Sequence, residues 1–308
     1  MKFQRTYQLQ VQGRPYVFRG QTVQQTYIIN YPLTLELNIA RNNLAAMNTA
    51  HLRIYNLSAD VRRALFHTYA DNATYQGVLL KAGYVNEPTL PVIFKGSMYT
   101  CTSYRHGVNW ITDINAWDGG WAVTNAFSNY NYPKYWKTSD VLAGIAGNFG
   151  NLTAGGIGAF SDDSDNNTGP LVVAAKTWDK FQELAGSNVR TFIDQETVNA
   201  LHNDEYLNIP GVLTLINSAN GLKETPITDG FLTTAKMVFE PRARVGPLVT
   251  LNSVESYLNG QYQVIGVSHD GIISDVENDD LTTSIVLQPG TTILKAVNVP
   301  GASVGVEA

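Results

Sequence analysis

Catalysis and metal binding need polar side chains that converge, so the histidines, acids and glycine runs of this chain come first. The five histidines stand at 51, 67, 106, 202 and 269. None has the His-Glu-x-x-His spacing that puts two imidazoles on one helix face for zinc. There is no Gly-x-Ser-x-Gly elbow to present a serine nucleophile. Cys101 is the sole cysteine, which excludes a disulfide framework and a cysteine-built zinc site. Gly155-Gly156-Ile157-Gly158 resembles half a phosphate loop, yet it lacks the following Lys-Ser/Thr and a preceding strand, and reads better as a flexible loop. Asp162, Asp163, Asp165 and Asn166 offer calcium-type oxygen ligands without the spacing or closing Glu of an EF-hand. Asp275 to Asp280 (DVENDD) is a solvated turn first and a cation site second. No catalytic set emerges, so no enzyme activity, cofactor or resident metal is expected.

What must position any functional side chain here is mostly strand. Phe3, Tyr7, Leu9 and Val11 alternate with polar residues, and Leu33, Leu35, Leu37 and Ile39 do so again, the period of a half-buried strand. HLRIYNLS continues the pattern, and Ser58 can cap a short helix through DVRRALFHT. VLLKAGY and PVIFKGSMYTCTSY are further strands. Arg105-His106-Gly107 turns into VNWITDINAWDG, where Trp110, Thr112, Ile114 and Ala116 share a phase. Short strands separated by turn signals predict a closed or nearly closed antiparallel barrel over residues 1–127. Residues 128–205 read as a small α/β unit. Thr138 or Ser139 caps a helix with the stripe Val141, Leu142, Ile145 and Phe149, stopped by Gly150; a polar, exposed loop (AGGIGAFSDDSDNNTG) follows. A second helix carries Trp178, Phe181 and Leu184 to Gly186, and a hairpin turns at Gln195-Glu196. Residues 206–308 return to strands (TTAKMVF, LVTLNS, QYQVIGVSHDG, LTTSIVLQPG) and predict a second barrel. The fold class is thus mainly β, two barrels flanking a helix-plus-hairpin insert.

The chain has 308 residues, of which 44% are hydrophobic and 15% charged. That supports real cores but falls short of the roughly 25% charge of an average soluble protein, so much of the sheet surface is expected to be covered by neighbours. No apolar run approaches the ~20 residues of a spanning helix, and MKFQRTYQLQ has no signal-peptide character, which points to folding in a reducing cytoplasm. Residues 1–127 hold 11 Lys/Arg against 6 Asp/Glu, whereas 128–308 hold 10 against 20. Val245 to Leu294 contains six acids and no Lys or Arg. So acidic a region cannot neutralise phosphates, which argues against a nucleic-acid grip there. Tyr130, Tyr132, Tyr135 and Trp136 in NYNYPKYW could stack on sugars or bases, or serve interdomain or intersubunit packing.

Several stretches together resemble one family. PVIFKGSMYTCTSYRHGVNWITDINAWDG is similar to the barrel hairpin of phage tail baseplate hub proteins. GLKETPITDGFLTTAKMVFEPRARVGPLVTLNS resembles their second-barrel entry, with Gly221-Leu222, Pro226, Pro241, Gly246 and Ser253 in order. GQYQVIGVSHDG and LTTSIVLQPG resemble the closing strands, with Tyr262, Val264 and His269 in place. ARNNLAAMNTAHLRIYNLSADVRRAL and WDKFQELAGSNVRTFID also suit the family, so the likeness spans most of the chain.

The resemblance implies a homotrimer whose two tube-like barrels per subunit make a pseudo-hexameric ring in the virion tail baseplate, assembled in the bacterial host cytoplasm. Its implied partners are the tail tube protein and the central spike protein, with the tape-measure protein and baseplate wedge as further contacts, and DNA passing through without specific binding. The alternatives are another tail ring, such as a hexameric distal tail protein, and a β-rich carbohydrate-binding module. Because DNA must slide past without being held, a wall of carboxylates, amides and hydroxyls suits the channel, and Glu255, Asp270 and Asp275 are the expected lining residues. Acids in outer loops that only aid solubility are the competing reading.

Overall fold

The structure is a computed structural model that describes residues 4–44, 47–68, 74–274, 280–290 and 295–300. Strand alternation shapes the first region. β1 (Arg5–Gln12) buries Tyr7, Leu9 and Val11 and runs into an exposed ribbon of β2 (Tyr16–Phe18) and β3 (Gln21–Val23). β4 (Thr26–Asn30), β5 (Leu35–Asn42) and β6 (Thr49–Tyr55) follow, then helix α1 (Ala59–Leu65), whose first turn is capped by Ser58 Oγ accepting from Val61 N. β7 (Gly77–Tyr84), β8 (Val92–His106) and β9 (Asn109–Trp117) complete it.

After β9 come α2 (Gly120–Asn125), β10 (Phe127–Tyr132) and α3 (Thr138–Ala146). Neither Thr138 nor Ser139 caps α3: Thr138 is its first residue, and the cap comes from outside. Asp163 accepts from both the amide and the hydroxyl of Thr138, and the helix ends near Gly147 rather than at Gly150. β11 (Thr153–Ile157), β12 (Leu171–Lys176), α4 (Thr177–Ala185), β13 (Val189–Asp194) and β14 (Thr197–His202) follow. Gly186 at φ 82° ends α4 where the sequence places its stop, and the hairpin turns at Gln195 and Glu196.

The glycine run departs from expectation. Gly155, Gly156 and Ile157 lie in β11, which pairs in parallel with β14 and buries both glycines, so three of the four residues of the run are strand. Glycine is needed for close approach, since a Cβ on Gly155 would meet Val198 O at 2.8 Å. The acidic half is tied down too: Lys137 Nζ sits 2.6 Å from Asp162 and Asn167 Nδ2 donates to Trp136 O. Tyr132 and Trp136 pack on the middle core, which closes that part of the aromatic run to stacking by a ligand.

The last region comprises β15 (Glu205–Asn208), β16 (Leu215–Asn217), β17 (Ile227–Asp229), β18 (Leu232–Val238), β19 (Leu248–Asn252), β20 (Gly260–Ile273), β21 (Thr282–Pro289) and β22 (Lys295–Asn298). Three buried clusters result, one per region, each borrowing from its neighbours; the first takes Phe239, Ile273 and Leu281 from the last region.

Two closed barrels do not form. Thirteen of the described strands pair into one open sheet, in the order β17-β18-β21-β20-β5-β6-β9-β8-β7-β1-β4, with β19 and β16 attached beside β20. The reason lies in β20. Its first residues pair with β19, but from Gly266 to Ile273 it takes the edge of β5 from Asn42 to Leu35. A closed barrel would need that edge for itself. The sheet therefore runs unbroken from the last region into the first, leaving β17 and β4 as its ends.

The tight seat of β11 makes a stability prediction. A methyl at Gly158 would run into the Glu205 carboxylate, which cannot swing aside because its oxygens accept from Ala159 N at 2.7 Å and His202 N at 2.8 Å. Gly158→Ala should cost about 1–3 kcal/mol in urea unfolding, whereas Gly169→Ala, where a Cβ meets nothing, should be near neutral.

Candidate functional site

The inward phase of β5 runs Leu35, Leu37, Ile39 and then Arg41, so a guanidinium enters the interior where the pattern calls for a hydrophobe. Arg41 is fully buried. Its Nη1 lies 3.3 Å from Asp194 Oδ1 and its Nη2 donates to Ala243 O at 2.6 Å. Asp194 accepts from Arg244 Nε at 2.7 Å through its other oxygen. Arg41 Nη2 also approaches His269 Nε2 at 3.4 Å. An arginine only donates, so Nε2 is the acceptor and the Nδ1 proton of His269 goes to Thr283 Oγ1 at 2.9 Å. These groups come from β5, the β13–β14 hairpin, the β18–β19 connection, β20 and β21, so all three regions meet here.

The hairpin tip is the plug in this joint. Gln195 and Glu196 both take positive φ, 53° and 57°, a turn that ordinarily selects Asn-Gly. Their side chains explain the choice. Gln195 Nε2 donates to Val92 O at 2.6 Å; Glu196 Oε1 accepts from Tyr75 OH at 2.7 Å and Asn151 Nδ2 at 2.8 Å. Both turn amides donate to Asp118, at 2.6 and 2.7 Å.

Burial dominates the electrostatics. It depresses Arg41, with Asp194 opposing, and it pushes Asp118 up to about 8, helped by Asp194 and resisted by the two turn amides. Burial would raise Asp194 as well, but Arg244 and Arg41 hold it below the usual carboxylate range. Burial and then Arg41 keep His269 well below its ordinary value, hence neutral.

The other face of the same sheet is polar. One row across the strands runs Thr282, Asp270, Asn38, His51 and Asn115, and the next runs Glu36, Arg53, Asp113 and Thr102. Arg53 is clamped: its Nε meets Asp113 at 2.9 Å and its Nη1 meets Glu36 at 3.1 Å. Lys236, on the same face two strands beyond Asp270, lies 3.8 Å from Glu224. Each of these cations thus has a carboxylate partner.

The expected channel residues are not brought together. Asp270 lies exposed on this face and accepts from Asn38 Nδ2 at 2.6 Å. Glu255 is exposed in the turn before β20, beyond the opposite end of the strand from Asp270, roughly 30 Å away at strand rise. Asp275 lies outside the described residues. Among the described residues no group of three or more His, Cys, Asp or Glu is arranged to hold a metal, and no helix is long and apolar enough to cross a membrane. The buried joint escaped the sequence reading. Its one signal was the phase of Arg41 with Leu35, Leu37 and Ile39.

This fold, an open β sheet with a helix-plus-hairpin unit docked on it, is shared with solved phage tail proteins. The chain is similar to the 43 kDa tail protein of prophage MuSo2 from Shewanella oneidensis (10% identity, 91% of this chain and 97% of that one, TM-score 0.54). It is also similar to a tail protein from Neisseria meningitidis MC58 (10% identity, 93% and 96%, TM-score 0.56). A chain of the lidded Francisella PdpA–VgrG complex shares the fold as well (8% identity, 97% of this chain and 55% of that one, TM-score 0.54). No curated protein matches. At the level of sequence, the Baseplate hub gp41 family matches residues 17–274, and the chain belongs to it. The family is one of structural baseplate hub proteins, which places this chain in the tail baseplate of a virion.

The joint has a pH signature. Asp118 holds its proton in the folded state up to about pH 8 but loses it near 4 when unfolded, so its contribution to stability falls as pH rises between those values. Neutral His269 does the reverse below its ordinary 6.5, because the unfolded chain gains a proton there that the folded chain refuses. The two slopes oppose each other up to about pH 6.5, leaving the fall due to Asp118 uncovered from there to about 8. In urea titrations across that window, the wild type should lose stability relative to Asp118→Asn, by at most about 1.4 kcal/mol per pH unit.

Proposed function

We propose that this protein is the trimeric hub ring of the baseplate, joining tail tube to central spike, with the polar face of its sheet lining the passage for DNA. The observation that carries the reading is the unbroken face itself. From β21 to β9 it spans strands of both β regions and sets carboxylates, amides and hydroxyls, with Arg53 held between two acids. Such a wall releases no counterions on meeting a phosphate backbone and so gives DNA nothing to hold. Of the three expected lining residues, Asp270 fits this reading best, and Glu255 belongs on a rim.

The units of this ring protein are residues 1–127, 128–205 and 206–308. Two ring-forming β units flank an α/β unit, supported by the three cores. Closure comes from neighbours rather than from within. A sheet with two open ends is sealed by pairing the β4 end of one copy with the β17 end of the next, a head-to-tail contact that closes into a ring. Ile28 on β4 and Ile227 on β17 are both largely exposed, which supplies apolar contact at each end. Tape-measure and wedge proteins remain further partners of the assembled ring.

Light scattering of the purified protein should give the mass of three 33.8 kDa chains, and Ile28→Asp should shift it toward the monomer. A stable wild-type monomer, or six copies as in a distal tail ring, would sink the trimer. In assembled phage, lysines in place of Asn38 and Asp270 should slow DNA release, most at low salt where screening is weak, without changing particle yield. Release that is unaffected at low salt would remove the lining role.

A further inference from the structure

Where α1 meets the β8–β9 hairpin, an open cleft of about 450 Å³ is lined by Ala59, Arg62, Arg63, Phe66, Ser103 and Trp110. Ser103 bonds to buried Thr112, in phase with Trp110, so the cleft opens on the side of the sheet opposite Thr102 and Asp113. It stands apart from the ring closure and the passage proposed above.

Arg62 is fixed there from two directions. Its Nε donates to Leu57 O at 3.1 Å, and its guanidinium carbon lies 3.6 Å from the centre of the Trp110 ring. That stack sets the plane of the guanidinium and leaves Nη1 and Nη2 without an acceptor among the described residues. Among the described residues Arg63 meets only Asp60, at 3.9 Å with both side chains nearly free in water, a contact worth almost nothing. Phe66 and Trp110 keep 45% and 39% of their surface exposed and form an apolar floor.

We propose that this cleft binds an acidic peptide segment of another protein. One carboxylate seats on the free edge of Arg62, a second meets Arg63, and a neighbouring apolar or aromatic side chain covers Phe66 and Trp110. A planar guanidinium matches a carboxylate with two parallel N–H···O bonds, and one already held by stacking loses little freedom when it does so. Arginine and tryptophan on an apolar floor are also the side chains that dominate protein–protein affinity. Charge favours the same ligand, since the cleft sits in the half of the chain with 11 Lys/Arg against 6 Asp/Glu. A nucleic acid fits less well. It needs a track of cations along its phosphates, whereas here the cations gather in one cleft and the opposite sheet face carries Glu36, Asp113 and Asp270.

Fluorescence anisotropy with the intact protein tests this, using a dye-labelled synthetic peptide that carries Asp and Glu around one Phe. Its comparators are the same peptide with Asn and Gln in place of the acids, and a single-stranded oligonucleotide of equal charge. The acidic peptide should bind at least about tenfold more tightly than its amide version, and Arg62→Lys should weaken it by about the same factor because the charge stays while fork and stack are lost. Unchanged circular dichroism of the variant separates this loss from misfolding. Equal binding of the two peptides, no binding of the acidic one, or an Arg62→Lys variant that binds like wild type would overturn the proposal. So would tighter binding of the oligonucleotide, which would mark a nucleic-acid site. Self-association of the wild type that Arg62→Glu abolishes would also do so, since the occupant would then be a second copy.

Discussion

The pairing of Arg41 with Asp194 is the constraint around which the rest is arranged. Both side chains are out of water, and a lone charge so buried costs several kcal/mol, so each is tolerable only while the other is in place. Arg244 completes the pairing of Asp194, and Ala243 O takes an arginine proton that would otherwise go unmet. These partners sit on β5, on the middle hairpin and on the β18–β19 connection. The three regions must therefore meet in one register or strand a charge. Buried ion pairs are weak evidence for stability as such, but separating the partners leaves an uncompensated buried charge, which penalises every arrangement that keeps them apart. Here the arrangement specified is the seam between the two β regions.

That seam explains why the polar face is continuous. β5 alternates, so the strand that sends Arg41 inward sends Asn38 and Ala40 outward beside Asp270 and Ser268 of β20. The joint inside and the face outside are two sides of the same pairing. The hairpin tip adds a second lock, for Gln195 and Glu196 accept a left-handed backbone in return for five hydrogen bonds that Asn-Gly could not make in full.

Much of this was legible in the sequence, and what was missed has physical reasons. The alternation at Tyr7, Leu9 and Val11, the Ser58 cap, the Gly186 stop and the Gln195-Glu196 turn are local signals, and the structure places each where its pattern pointed. Barrel closure is not local. Each region holds enough strands for a barrel, and nothing in the period of β5 tells whether its edge meets β4 or the distant β20. The glycine run misled for a related reason: Gly155 and Gly156 read as flexibility, but they are small because Asn199 and Leu207 press against them. Acidic composition likewise named Glu255, Asp270 and Asp275 together, though composition cannot tell a sheet face from a turn. Asp270 shares its phase with Ser268 along a paired strand, whereas Glu255 sits outside any strand.

On the proposed reading, a sheet shared between both β regions turns its polar face toward the axis of a ring. Electron cryomicroscopy of the assembled tail tip tests this most directly. The map should show three copies around the axis, with Asn38, Asp270 and the clamped Arg53 facing the lumen and the Arg41–Asp194 joint buried behind them. A map in which that face points away from the axis, or in which the first and last regions of one chain are separated so that β5 and β20 no longer pair, would contradict it.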